Sequence, residues 1–160
     1  MTSPYHVLLV CTGNTCRSPL AAALLEQLLV QEGPGGITVS SAGARAVDGD
    51  PASEGAYLVA LEEGLDLSAH RAALLRPEMV RSANLILAMS RSHVRRIEEL
   101  GGSGKVMLLG EYAAGEAGSE EIPDPFGSDV HAYRETLHHL AHLMAGVRDR
   151  LSREVVRDQR

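Results

Sequence analysis

Four short apolar runs limit most tightly what this chain can fold into: Val7 to Val10, Ile37 to Ser40, Leu85 to Ala88 and Val106 to Leu109. Each is nearly continuous rather than alternating, the pattern of strands covered on both faces in a parallel sheet. Helical segments lie between them. The first is expected to start at Ser18-Pro19, a cap followed by proline at the first helical position, and to run to Gly33. The second starts at Asp50-Pro51 by the same device and ends near Gly64. A short third piece follows Pro77, and a fourth is capped by Ser90 and stopped by Gly101-Gly102. The last places Val130, Tyr133, Leu137, Leu140, Met144, Val147 and Leu151 at spacings of three and four, one continuous apolar stripe. Strands alternating with helices imply a single three-layer α/β domain, a parallel sheet with helices on both faces and right-handed crossovers.

With 160 residues and 44% apolar content, the chain can bury one real core. It has no 18-residue apolar run to span a membrane. Nothing around Val7 to Val10 reads as a signal peptide, and two cysteines five positions apart suit a reducing compartment; a cytoplasmic location is expected. A net charge of −6 argues against a nucleic-acid partner. The stretch from Glu111 to Ser128 lacks periodicity and reads as a loop. The Arg- and Asp-rich end, Arg148 to Arg160, is expected to run out into solvent, with the domain closing at residue 153 and 154–160 a frayed tail.

The chemistry concentrates at the first strand-to-helix turn, Cys11-Thr12-Gly13-Asn14-Thr15-Cys16-Arg17-Ser18-Pro19. In a parallel sheet such turns lie at the carboxyl edge, where ligands bind. Successive backbone N–H groups and a helix N-terminus favour an anion there. Cys11 and Arg17 enclose five residues, a loop that fits round a tetrahedral oxyanion. The field that holds the anion also favours the thiolate of a cysteine beneath it. Cys11 is then the nucleophile, and Arg17 offers a planar fork to two phosphoryl oxygens. The Ser18 hydroxyl is placed to hydrogen-bond the sulfur, Gly13 permits a positive φ, and Asn14 ties the loop together. A thiolate nucleophile needs an acid for the leaving group; Asp124, between Pro123 and Pro125, is the candidate, and the same carboxylate can activate the hydrolytic water.

CTGNTCRSP at Cys11 to Pro19 and DPF at Asp124 to Phe126 together resemble the low-molecular-weight protein tyrosine phosphatases. Ser41-Ala42-Gly43 and Ser68-Ala69-His70-Arg71-Ala72 are similar to that family too, and the resemblance runs from Val7 to about Leu151. It implies a four-stranded parallel sheet in the order 2-1-3-4. It also implies a monomer that needs neither metal nor cofactor and hydrolyses phosphorylated proteins through a phosphocysteine. By motif match Cys11, Arg17 and Asp124 are catalytic, and Thr12 to Ser18 bind the phosphate. His70 supports the loop, bonding Asn14 or Ser41. Cys16 is a resolving thiol for an oxidised Cys11, set against its plainer reading as a small apolar helix residue.

Two departures bear on the substrate. Tyrosine-specific eukaryotic members usually carry an aliphatic residue where this chain has Thr15, and a tyrosine where it has Phe126. Thr15, DPF-Gly and Glu111-Tyr112 are similar to the bacterial protein arginine phosphatases of the family. A threonine hydroxyl can hydrogen-bond a planar guanidinium, whereas an aliphatic wall suits an aromatic ring. Phosphoarginine is therefore expected ahead of phosphotyrosine. Arsenate reduction through a disulfide relay is excluded, because no cysteine follows Cys16. A non-enzymatic anion-binding module is the remaining alternative, and it would not need Asp124. His138 and His142 share a helix face but lie off the apolar stripe and read as solvated; Arg95-Arg96 reads as an exposed helix face.

Overall fold

The computed structural model describes residues 3–114 and 121–158. Strands β1 (Tyr5–Cys11), β2 (Ile37–Gly43), β3 (Leu85–Ala88) and β4 (Val106–Leu108) form one parallel sheet in the order β2-β1-β3-β4. The helices are α1 (Arg17–Glu32), α2 (Glu54–Glu62), α3 (Pro77–Ser82), α4 (Arg91–Glu99), α5 (Leu109–Ala114) and α6 (Val130–Asp158). No helix among the described residues is long and apolar enough to cross a membrane.

Side chains alternate across the sheet with period two, so the central strands β1 and β3 feed two cores. Val7, Leu9, Leu85 and Leu87 pack with Leu20 and Leu25 of α1, Val59 of α2, Tyr112 of α5 and Leu140 and Met144 of α6. Leu8, Val10, Ile86 and Ala88 face the other way, onto Val80 of α3 and Ile97 of α4. A strand buried on both faces needs no polar positions. That is why the runs of the two central strands, β1 and β3, read as continuous, whereas β2, at the sheet edge, exposes Thr38 and Ser40.

Two helix starts differ from the expectation, and a third keeps its place without a side-chain cap bond. Helix α1 begins at Arg17, with Cys16 at the N-cap, so Ser18 lies inside the first turn and Pro19 follows it. Proline is tolerated there because the first four N–H groups of a helix have no intrahelical partner. Ser18 does not cap because its hydroxyl is engaged with Cys11 and Asn14. Helix α2 starts three residues late: Ser53 caps it, accepting from Ala56 N. Asp50 and Pro51 stay outside, where the Asp50 carbonyl accepts from Ala72 N at 2.7 Å. Ser90 does precede α4, but its hydroxyl faces Ser92 and His93 rather than the backbone.

The stretch read as a loop from Glu111 begins inside α5, and residues 115–120 lie outside the described residues. The arginine-rich end, expected to fray from Arg148, stays helical to Asp158. Leu151 is 0% and Val155 1% exposed, so the apolar stripe extends one turn beyond its sequence-read end. Polar contacts clasp that turn to α5. Arg150 stacks 4.1 Å from the Tyr112 ring centre, its Nε bonds Glu154 at 2.7 Å, and the Tyr112 hydroxyl donates to Glu154 at 2.9 Å. Burial first, then the Glu154 contact, pushes that hydroxyl well above its ordinary titration range. Gly146 lets the helices close up, since a Cβ there would lie 2.7 Å from the Ala113 carbonyl oxygen.

A frayed end would tolerate any substitution. Val155→Ala is instead expected to cost about 2 kcal/mol, from lost transfer and a small cavity. Urea denaturation compared with the parent protein measures it.

Candidate active site

Strand β1 ends at Cys11, which pairs in register with Gly43 of β2. From there the loop is held by its carbonyls. Ala44 N donates to Cys11 O and Arg45 N to Thr12 O, both at 2.9 Å. His70 Nε2 contacts Asn14 O at 2.7 Å, and Ser53 N donates to Thr15 O at 2.9 Å. The N–H groups from Gly13 to Ser18 donate to no group among the described residues. With carbonyls tied outward and N–H groups free beside a helix N-terminus, the loop has the geometry of an anion cradle.

Gly43 is a glycine for reasons of space. A Cβ on it would lie 2.5 Å from Thr12 O and 2.9 Å from Asn14 N. The positive φ expected of Gly13 belongs instead to Asn14, at φ 56°. An asparagine tolerates this conformation when its side chain bonds locally. Asn14 is fully buried and makes three such bonds: its Oδ1 accepts from Ala73 N at 2.9 Å, and its Nδ2 donates to Ser18 Oγ at 2.8 Å and Ser41 Oγ at 2.9 Å. Because Ser18 Oγ receives that proton, its own hydroxyl is free to donate to Cys11 Sγ, 2.9 Å away.

Arg17 is 5% exposed on the first turn of α1. Its Nη1 donates to Ile122 O at 2.9 Å and its Nη2 to Thr12 Oγ1 at 3.3 Å. Asp124 Oδ2 lies 3.4 Å from Nη2. Nε is buried without a hydrogen-bond partner, the single such side-chain atom among the described residues. Asp124 itself is half exposed. Its Oδ1 accepts from Phe126 N at 3.0 Å, closing a turn that aims the carboxyl back toward Arg17. The loop's other fastening is Ile122 N to Met89 O, 2.9 Å.

These groups line one cavity of about 250 Å³ containing Cys11, Thr15, Arg17, Asp124, Phe126 and Val47. Phe126 is 69% exposed at its rim. Of the residues expected at the pocket, Thr12, Gly13 and Cys16 line it too, whereas Asn14 and Ser18, expected to bind the phosphate, are fully buried and outside its lining. Ser41 and His70 stand behind the loop, both reaching Asn14. Cys11 and Cys16 are free, buried thiols. Cys16 Sγ sits 3.2 Å from Ser53 Oγ and 3.4 Å from the Tyr133 hydroxyl. Burial, then that cysteine contact, pushes the Tyr133 hydroxyl up to about 12. His138 is away from the site, exposed and 3.6 Å from Glu63.

His93 escaped the sequence reading. It is 4% exposed on the first turn of α4, with Nε2 2.8 Å from Thr12 Oγ1 and Nδ1 3.0 Å from Ser90 Oγ. Burial and the nearby Arg17 push its basicity down to about 4. The available signal was its place: a histidine one turn into the helix after β3, at the same sheet edge as Cys11. Val47 and Asp50 also line the cavity and carry no recognisable motif.

A family model described as low molecular weight phosphotyrosine protein phosphatase matches residues 6–157. The protein-arginine-phosphatase of Geobacillus stearothermophilus is 39% identical over 155 residues, covering 94% of this chain and 99% of that one. The low molecular weight protein-tyrosine-phosphatase Etp of Escherichia coli K12 is 36% identical over 129 residues, 79% of this chain and 81% of that one. The solved structure of the YwlE arginine phosphatase mutant with a phosphorylated active site serine superposes with a TM-score of 0.88. It is 33% identical, over 93% of this chain and 97% of that one.

The close approach at Gly43 makes a direct test of the cradle. Gly43→Ala should push the Thr12 carbonyl and the Asn14 N–H out of place. A stability loss of about 2 kcal/mol is expected in urea. Inhibition by inorganic phosphate should weaken at the same time; unchanged inhibition would place Gly43 outside the cradle's support.

Proposed function

The chain belongs to the low molecular weight phosphotyrosine protein phosphatase family, and we propose that it removes phosphate from phosphoarginine on proteins. One observation carries the chemistry: a buried arginine that lines the pocket with Cys11, fastened by Ile122 and Thr12, keeps an unpartnered Nε–H. A buried donor without a partner is costly. A phosphoryl oxygen answers it.

Cys11 Sγ, as thiolate, attacks phosphorus while the P–N bond breaks. Asp124, as the acid, gives its proton to the departing guanidine nitrogen. Charge that builds on the phosphoryl oxygens meets Arg17 and the loop N–H groups, already oriented before the substrate arrives. In the second step Asp124, now a carboxylate, takes a proton from water as the water oxygen attacks phosphorus. The S–P bond breaks, and the Ser18 hydroxyl receives the thiolate. Inorganic phosphate leaves.

The preference for arginine rests on Thr15 at the pocket wall and on the similarity to protein-arginine-phosphatases across nearly the whole chain. Phosphotyrosine is the second reading, favoured by the exposed Phe126 ring at the rim, a surface on which an aromatic substrate stacks. The enzyme acts as a cytoplasmic monomer on phosphorylated proteins, in keeping with its charge and cysteine usage. Cys16 protects the nucleophile: a Cys11 sulfenic acid condenses with the Cys16 thiol, releasing water and forming a reducible disulfide.

The decisive measurement is kcat/KM on a phosphoarginine peptide against a phosphotyrosine peptide. The native protein should favour phosphoarginine, and Thr15→Ile should shift the ratio toward phosphotyrosine. An unshifted ratio removes Thr15 from the argument. Cys11→Ser should abolish turnover of para-nitrophenyl phosphate yet still bind inorganic phosphate; intact turnover sinks the mechanism, and a native protein without turnover would be an anion-binding module. Asp124→Asn should lower kcat on phosphoarginine by about 10²- to 10⁴-fold. After peroxide treatment, Cys16→Ser should recover less activity with a dithiol than the native protein does.

A further inference from the structure

The mechanism leaves one buried, fully bonded side chain at the site without a task. His93 touches neither the thiol nor the acid, yet it contacts the hydroxyl that Arg17 donates to. We propose, on the reading of Arg17 as the phosphoryl clamp, that His93 is a positioning residue which sets the direction of the Arg17 guanidinium through Thr12.

The hydrogens can be assigned along the chain of contacts. Arg17 is always a donor, so Thr12 Oγ1 accepts from Nη2. The Thr12 proton then needs an acceptor, and His93 Nε2 stands 2.8 Å away. The imidazole is therefore neutral, with its proton on Nδ1, donated to Ser90 Oγ at 3.0 Å. Ser90 in turn passes its proton to Ser92 Oγ at 2.9 Å. Every dipole in this series turns its negative end toward the Arg17 cation, and such aligned bonds reinforce one another in a poorly screened interior. The opposite order would aim Nε2–H at an oxygen already holding a cationic donor. The groups acting on His93 agree: burial and Arg17 disfavour the imidazolium more than Glu121 and Asp124 favour it.

The consequence reaches the reacting centre. Thr12 and Ile122 hold the far edge of the guanidinium, which leaves Nε–H without a protein partner. A Thr12 hydroxyl without His93 is a free rotor whose lone pair leaves Nη2. Arg17 Nη2 is then free to close further onto the Asp124 carboxylate, its partner at 3.4 Å. That pose weakens the clamp and ties up the acid. A clamp that tightens as charge develops acts on kcat more than on KM.

The test uses para-nitrophenyl phosphate, whose good leaving group needs little help from Asp124, with vanadate as a transition-state-like oxyanion. His93→Phe keeps a planar ring and removes the acceptor. It should lower kcat and weaken vanadate inhibition by about tenfold each, with KM moving less than about twofold. His93→Gln, whose side-chain oxygen can accept the Thr12 proton, should recover most of the loss. In a Thr12→Val background His93→Phe should add nothing, because the path is already cut. Native-like kcat in a folded His93→Phe protein overturns the proposal. So do effects of the two substitutions that multiply, or losses that only track the folded fraction in thermal melts. Should His93→Phe not fold, Ser90→Ala removes the Nδ1 partner and must show the same kcat-weighted loss at smaller size; native kinetics there overturn the proposal equally. Cys11→Ser separates the two readings. If it stays active, the phosphatase mechanism is wrong; if it is dead while His93→Phe is fully active, only the positioning role falls.

Discussion

The pocket depends on one buried amide. Asn14 takes the left-handed backbone conformation that turns the loop, and its side chain bonds three different segments. Ser41 belongs to β2, Ser18 to α1, and Ala73 to the connection ahead of α3. His70 adds a fourth tie through the Asn14 carbonyl. A glycine would turn as easily but would tie nothing, and the loop would lose its reference to the sheet. The amide also decides where a proton goes: by donating to Ser18 it leaves the Ser18 hydroxyl for the Cys11 sulfur. The hydrogen bond at Cys11 is thus a consequence of how the backbone turns three residues later.

A protein of net charge −6 that is proposed to act on phosphate has to recruit it locally. The cation proposed for this is Arg17, withdrawn from solvent and paired with a carbonyl, a hydroxyl and one half-exposed carboxylate. Burying a guanidinium is costly unless its donors are met, and here one, Nε–H, is left unmet. Water screens surface charge within about 8 Å at physiological ionic strength. The acidic surface therefore says little about the potential at the loop, where dipoles and one cation act at contact distance.

Much of this was legible in the sequence because its signals are local. The central strands, buried on both faces, leave unbroken apolar runs, and all four runs are strands in the structure. The Cys11 to Ser18 loop was legible because five residues between Cys11 and Arg17 and a following helix leave few geometries. Boundaries were less so. Pro19 and Pro51 look like helix starts, but Ser18 is engaged by the loop and Asp50 by Ala72, so the caps fall elsewhere. Helix α5 stayed hidden because its partners lie on α6, where Arg150 and Glu154 meet Tyr112. His93 and the Tyr133 hydroxyl were illegible for the same reason. Each acts on a residue some 80 or more positions away, and no local pattern encodes such a meeting.

The segment bearing Asp124 is strung between two fixed posts. Ile122 is pinned at one end by Met89 and by Arg17 itself, and the first turn of α6 begins at Val130. Asp124 sits two positions from the first post, so its carboxyl can explore only a small volume in the cavity that Cys11 also lines. In the language of effective concentration, a tether this short would hold the proposed acid at a local molarity far above anything free in solution. The arginine proposed to grip the phosphoryl group also holds this post, through the Ile122 carbonyl. Whatever moves that cation moves the proposed proton donor with it.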